Sequence, residues 1–345
     1  MNKLYERWIN EWENRLCFRT NNRVARPFEW GLDWTGTWPQ AQAQPCNGHT
    51  PEQYLHRLNE MALCDSDSFF GYDVPKDFRL EGDMLSFTSP VHTQHEKNNT
   101  VRAQWHQAKN DKGRAVVVLP HWNATFDQHG GLCRAIAKLG ISALRISLPY
   151  HDLRMPPELH RADYAVSSNI GRTIDATRQA VIDSRTCFDW LASRGYERVG
   201  IVGTSLGSCY AFLAAAHDSR IKVGVYNHCS SYFADVVWTG LSTMHIRESI
   251  ESEIELESLR QCWKAISPVY YLDKYKQHVK ESKFIYTTYD TTFLPKYSKD
   301  IVEQIQKAKI KNSVAVLPCG HYTLGEAPYK YLVGWHICSF LVSRL

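Results

Sequence analysis

The chain has 345 residues, 43% hydrophobic and 22% charged, which is a folded globular composition and excludes a disordered one. Its formal net charge of +4 is scattered, and the densest basic stretches, around Lys274 to Lys283 and Lys307 to Lys311, are broken by acidic or apolar residues. This is the pattern of a solvated face and argues against a nucleic-acid surface. Ten cysteines include no C-x-x-C pair, and several, such as Cys187, Cys209 and Cys338, sit in apolar segments. Buried free thiols in a reducing compartment fit this better than a disulfide frame or a zinc site.

The N-terminal segment MNKLYERWINEWENRLCFRT places Leu4, Trp8, Trp12 and Leu16 at helical spacing and predicts a helix over about 3–17. It is charged throughout, with no apolar signal-peptide core. No stretch reaches the roughly 18 apolar residues of a spanning helix. The expectation is a cytoplasmic protein with no integral membrane segment. The aromatic run FEWGLDWTGTW and the Pro- and Gln-rich tract PQAQAQPCNGHTP follow, so that residues 1–83 form an extension expected to pack on the core.

From residue 84 the pattern turns regular. MLSFTSPV and NTVRAQWH read as two strands joined by a polar turn, forming an antiparallel edge. AVVVLP, a short continuous apolar run, reads as a strand buried on both faces. GGLCRAIAKLG reads as a helix stopped by Gly140, and ISALRIS as the next strand. A long helix covers about 168–194. RVGIVG, IKVGVYN, KFIYTT and SVAVLP are four more strands, with a helix after RVGIVG and a last one over about 328–343. Strands alternating with helices predict an α/β fold, a mostly parallel eight-stranded sheet flanked by helices over 84–345. The interval 231–280 interrupts the alternation with a helical stretch, read as a lid insertion.

Gly203-Thr204-Ser205-Leu206-Gly207 matches G-x-S-x-G between a buried strand and an Ala- and Gly-rich helix. Such a strand–turn–helix lifts a serine hydroxyl out of the sheet edge, and large side chains at 203 or 207 would collide where strand and helix cross. Serine needs a base to become nucleophilic. Of the 15 histidines, His321 is selected by its place directly after the final strand, at the carboxyl edge of the sheet where open α/β folds bind ligands. Asp290, after KFIYTT, is the expected acid, in the chain order Ser, Asp, His; Asp273 is the rival. The oxyanion donors are expected to be the backbone N–H of Leu206 and that of Trp122 or Asn123, in the loop after AVVVLP, where His121 is expected to hold the loop backbone. The cluster His92-Thr-Gln-His95-Glu96 lacks the H-E-x-x-H order and a helix, and no metal or dinucleotide site is expected.

These residues resemble the α/β-hydrolase superfamily over roughly 84–345. Within it, LRISLPYHDLRMP, the long helix and GTSLGS resemble the abhydrolase domain-containing 18 family, the matching turn residues being Pro149, Tyr150 and Arg154. The superfamily triad maps to Ser205, Asp290 and His321. Its usual His-Gly pair after the third strand is His121-Trp122 here. The resemblance implies ester hydrolysis, including lipid-like acyl esters, and no cofactor.

The resulting expectation is a serine hydrolase cleaving a small-molecule carboxylic ester or thioester through an acyl-enzyme on Ser205. Its rivals are a noncatalytic binding protein, or an amidase, acyltransferase or lyase, on the same fold. Apolar residues of the 231–280 insertion, Trp238 and Met244 among them, are expected to line the pocket and favour an apolar acyl or aromatic group.

Overall fold

A computed structural model describes residues 3–20, 22–43 and 48–345. Residues 44–47 of the Pro- and Gln-rich tract, Cys46 included, lie outside the described residues.

The strands are β1 (Arg79–Glu81), β2 (Met84–Thr88), β3 (Thr100–His106), β4 (Arg114–Leu119), β5 (Ser142–Ile146), β6 (Arg198–Thr204), β7 (Ile221–Asn227), β8 (Glu281–Thr287) and β9 (Asn312–Leu317). They form one sheet in the order β1-β2-β3-β5-β4-β6-β7-β8-β9. The first three strands and their junction with β5 are antiparallel, and the rest is parallel. The described sheet therefore has nine strands where eight were expected. The additional strand, β1, spans three exposed residues and carries no apolar alternation to reveal it. The order reverses around β4, so the carboxyl ends of β4 and β6 border the crevice that such a reversal opens.

The helices preceding and within the sheet are α1 (Lys3–Cys17), α2 (Pro39–Ala43), α3 (Pro51–Cys64), α4 (Ser66–Phe69), α5 (Gly130–Lys138), α6 (Ile170–Ser193) and α7 (Leu206–Ala216). Between β7 and β8 come α8 (Phe233–Thr239), α9 (Met244–Ile250), α10 (Leu256–Cys262) and α11 (Leu272–His278), and the chain ends with α12 (Pro295–Lys307) and α13 (Tyr329–Arg344). The helical stretch expected in 231–280 is thus four short helices, interrupted by the polar turn after Ile250.

Both faces of the sheet are covered. In β4, Ala115, Val117 and Leu119 face one core, shared with α6 and α7, while Val116 and Val118 face the other, shared with α1, α5 and α13. Period-two alternation between two apolar layers explains why the strand reads as unbroken hydrophobic sequence. Among the described residues, no helix is long and apolar enough to cross a membrane, and the nine described cysteines are free, seven of them buried.

Helix α6 is buried along almost its whole length, including Asp175, Arg178, Gln179 and Asp183. Polar groups can be buried only if they are partnered, and the segments before β1 supply partners. Trp38 Nε1 donates to Asp175 Oδ1 at 2.9 Å, Arg178 Nε to the Phe69 carbonyl at 2.6 Å, and Arg185 Nη1 to the Phe70 carbonyl at 2.6 Å. Trp38, Leu55, Leu58, Phe69 and Phe70 are in the same apolar core as α6.

The turn after β5 is held from beneath. Arg154, fully buried, pairs with the equally buried Asp183 of α6 at 2.8 Å and donates to the carbonyls of Asn98 and Ser147. Asn98 Oδ1 in turn accepts the N–H of Tyr150, whose φ is 64°. Arg154→Leu should leave the Asp183 carboxylate buried without its cation and destabilise the fold by about 3–5 kcal/mol. Urea denaturation checks this, and Arg154→Leu/Asp183→Leu should recover part of the loss. Equal stability of wild type and Arg154→Leu would show that this turn is held by something else.

Candidate active site

Ser205 sits between β6 and α7 with φ 55° and ψ −123°, a strained conformation for a residue with a side chain. The crossing around it is tight. A Cβ at position 203 would lie 2.3 Å from the Gly207 carbonyl oxygen, and one at 207 would lie 2.3 Å from that of Pro120. Glycine at both positions is therefore a steric requirement. The Ser205 N–H donates to the Asn227 carbonyl at the end of β7, 2.7 Å away, and Ser208 Oγ donates to the Ser205 carbonyl at 2.7 Å. These bonds hold the turn from both sides.

The loops after β8 and β9 bring Asp290 and His321 to this turn. His321 Nδ1 donates to Asp290 Oδ2 at 3.1 Å, which leaves Nε2 as acceptor for the Ser205 hydroxyl, 3.0 Å away. Asp290 Oδ1 accepts the N–H groups of Thr292 and Phe293 at 2.8 and 2.7 Å. The Phe293 ring lies parallel to the His321 imidazole, centroids 5.5 Å apart. Burial alone would raise the Asp290 pKa, but the charges of His321 and His228 and their hydrogen bonds outweigh it and hold the carboxyl well below the usual range. Burial alone would depress His321; the Asp290 carboxylate outweighs that and raises it above its ordinary value. Asp273, the rival acid, is exposed in the first turn of α11.

Sequence reasoning missed His228. It follows β7 with φ 62°, is fully buried, and its Nδ1 lies 2.7 Å from Asp290 Oδ2. The signal was available, because His228 directly follows the strand run IKVGVYN, just as His321 lies in the loop directly after SVAVLP. His228, Asp290 and His321 are the one group among the described residues whose metal-ligand atoms lie within 4.8 Å of one another. Both imidazoles turn Nδ1 toward the same carboxylate oxygen, at 3.1 Å for His321 and 2.7 Å for His228. His95, from the cluster set aside in the sequence, faces Glu158 at 3.4 Å and stacks on Trp34.

Two expectations need correction. The Asn123 N–H is already engaged, donating to His151 Nε2 at 3.0 Å. His151 can accept it because Nδ1–H donates to the Pro149 carbonyl at 2.8 Å and burial pushes the imidazole down to about 3, keeping it neutral. Among the described residues, the N–H groups of Trp122 and Leu206 meet no acceptor. His121, in turn, meets His129, Nδ1 to Nε2 at 2.9 Å, and not the loop backbone.

The second correction concerns the pocket. A cavity of about 40 Å³ opens beside Ser205, lined by Trp122, Leu206, Phe233, Val236, Val237 and Phe293 among others. Trp238 and Met244 do not line it. Helix α8 turns Phe233, Val236 and Val237 inward at i, i+3 and i+4, which points Trp238 elsewhere, under the Arg247 guanidinium. Met244 begins α9 and is 40% exposed. The apolar face of the insertion was legible; which residues of it meet the cavity depended on where the short helices break.

Solved structures similar to this fold include an acylaminoacyl peptidase of Pyrococcus horikoshii, with TM-score 0.58, 11% identity and coverage of 80% of this chain and 50% of the peptidase. This chain thus spans about half the length of that protein. Acetyl xylan esterase 1 of Thermoanaerobacterium matches with TM-score 0.56 and 13% identity over 96% of this chain and 98% of the esterase. A Pyrococcus furiosus esterase matches with TM-score 0.53 and 13% identity over 81% and 94%. At these identities the likeness is one of fold. No curated protein matches the chain in sequence. The model of the family "Alpha/beta hydrolase domain containing 18" matches residues 93–315, from the loop before β3 into β9. With that match over most of its length, on an α/β-hydrolase sheet, the chain belongs to the alpha/beta hydrolase domain containing 18 family.

Proposed function

We propose that the protein is a serine hydrolase that cleaves a carboxylic ester or thioester through an acyl-enzyme on Ser205. The observation that carries this reading is the continuous chain of contacts from Ser205 Oγ through His321 to Asp290 at a strained strand–helix turn, beside an apolar pocket. In the proposed reaction His321 Nε2 takes the Ser205 proton as Oγ attacks the substrate carbonyl. The N–H groups of Leu206, at the first turn of α7, and of Trp122 stabilise the oxyanion. His321 then returns the proton to the leaving alcohol or thiol, and water, activated by the same imidazole, releases the acid. Asp290 orients the imidazole and stabilises its protonated form, and its low pKa keeps it ionised throughout.

Fluorophosphonate labelling followed by nitrophenyl ester turnover tests the reading. Ser205→Ala should lose both while keeping the wild-type melting temperature. Asp290→Asn should bind ester with little change but turn it over about 10⁴-fold more slowly. Wild-type protein that never labels would favour a noncatalytic binding protein. Activity requires neutral His321, whose pKa Asp290 raises, so kcat/KM should fall on the acid side with a midpoint above the ordinary imidazole value of about 6.5. A midpoint below that value would mean that Asp290 does not act on the base.

The apolar lining supports an acyl or aromatic group as the part of the substrate held in the pocket, because each buried methylene contributes about 0.8 kcal/mol. Specificity should rise with acyl length by up to about four-fold per carbon until the cavity is full. Val237→Phe, which narrows the cavity, should slow longer esters more than acetate, and Met244→Ala should leave the profile unchanged. A flat profile in wild type, or equal losses on every ester in Val237→Phe, would remove the acyl group from this pocket.

A further inference from the structure

The N-terminal helix carries a carboxylate where its sequence promised a solvent-facing one. Leu4, Trp8, Trp12 and Leu16 read as the apolar stripe, yet Leu4 and Trp8 are 77% and 50% exposed, while Ile9, Glu13 and Cys17 are buried. The helix is turned by about one residue from the orientation its hydrophobicity suggests. Glu13 is 0% exposed. Its Oε2 accepts the N–H of Tyr322 at 3.0 Å and its Oε1 that of Thr323 at 2.6 Å, the two residues directly after His321. On the other side, Gly320 fits only because it has no side chain: a Cβ there would lie 2.2 Å from Glu13 Cδ. Tyr5, two turns earlier on the same face, donates to the Pro318 carbonyl and packs edge-on against the ring of Tyr289, next to Asp290.

A buried carboxylate is retained only where it is well partnered, and the partners here are two consecutive backbone N–H groups of the loop that carries His321, a loop that Thr323 Oγ1 braces from within by accepting the Gly320 N–H at 2.8 Å. The contact therefore acts on where the loop after β9 lies. We infer that Glu13 is a positioning residue for His321, so that the N-terminal helix sets the place of the imidazole from behind the loop that carries it. This rests on the reading of His321 as base. The titratable groups facing His321 are Asp290 after β8, His228 after β7 and His121 after β4, with Glu13 from α1 and Tyr322, whose ring lies edge-on to the imidazole with centroids 5.7 Å apart. Glu13 supports the protonated form of His321 through its charge as well as through the loop.

The test uses the full chain and a fluorophosphonate probe, with nitrophenyl acetate for steady-state rates. Glu13→Gln keeps the side-chain volume but turns one acceptor into a donor facing a backbone N–H. It should slow labelling of Ser205 by about ten- to a hundred-fold, lower kcat with little change in KM, and move the acid midpoint of the rate downward. Hydrogen exchange over residues 320–324 should rise in the same variant. Gly320→Ala should reproduce the slowing by displacing the carboxylate, and Glu13→Ala/Gly320→Ala should be no slower than Glu13→Ala, since the colliding atoms are gone. If wild type labels and Glu13→Gln labels as fast with an unmoved midpoint, the positioning role is wrong and the serine reading stands. A folded Gly320→Ala at full rate would overturn the positioning role in the same way, and it decides the matter should Glu13→Gln not fold. If wild type itself never labels, the serine reading falls and this role with it.

Discussion

A carboxylate that is 3% exposed stays ionised only when its surroundings supply what water would, and Asp290 is such a group. Two backbone N–H groups meet Oδ1, and the Nδ1 atoms of His321 and His228 meet Oδ2. These four contacts come from the ends of three strands, β7, β8 and β9. A shift of β7 or β9 against β8 would take an imidazole away from this buried charge, so the register of that half of the sheet and the ionisation of Asp290 support each other. In the proposed mechanism the same carboxylate fixes which nitrogen of His321 carries the proton, and so which one faces Ser205.

The serine half of the site depends on close approach of a different kind. Gly203 and Gly207 let β6 and α7 cross with backbone atoms against one another, and nothing larger fits. That contact forces the positive φ at Ser205 and points the first N–H groups of α7 toward the pocket. The turn is rigid because Asn227 and Ser208 hold its N–H and carbonyl. The backbone of the serine turn is tied to the end of β7, but the Ser205 hydroxyl itself reaches the base only through the 3.0 Å contact with His321, so small displacements of the loop after β9 act directly on that distance. This is the physical reason that a buried acid on a remote helix, Glu13, has leverage on the site.

The segments before β1 share that logic. Helix α6 is polar as well as apolar on its outer side, and a helix of that composition would be expected to face water. It is instead covered by Trp38, Phe69 and Phe70, whose indole N–H and backbone carbonyls meet Asp175, Arg178 and Arg185. The aromatic residues ahead of the sheet thus cover a polar helix as well as filling a core.

The strands of 84–345 and the helices around 130–138, 170–193, 206–216 and 329–344, though not α12 between β8 and β9 or the breaks among the four short helices of the insertion, could be read directly, because continuous apolar runs and helical spacing are local properties and the sheet buries both faces. So could the turn at Gly203 to Gly207, since its steric demand leaves no choice of residue, and the positions of Asp290 and His321, each in a loop that follows a strand. The outer strand β1, exposed on all three residues, had no such pattern. What no local reading could supply were the contacts between distant segments: His228 against Asp290, Asn123 spent on His151, Val236 and Val237 at the cavity in place of Trp238 and Met244, and Glu13 inside where an apolar stripe one residue away was the natural choice. Each is settled by which face of an element meets its neighbour. That choice follows from matching buried donors with buried acceptors across the whole fold, which only the tertiary structure decides.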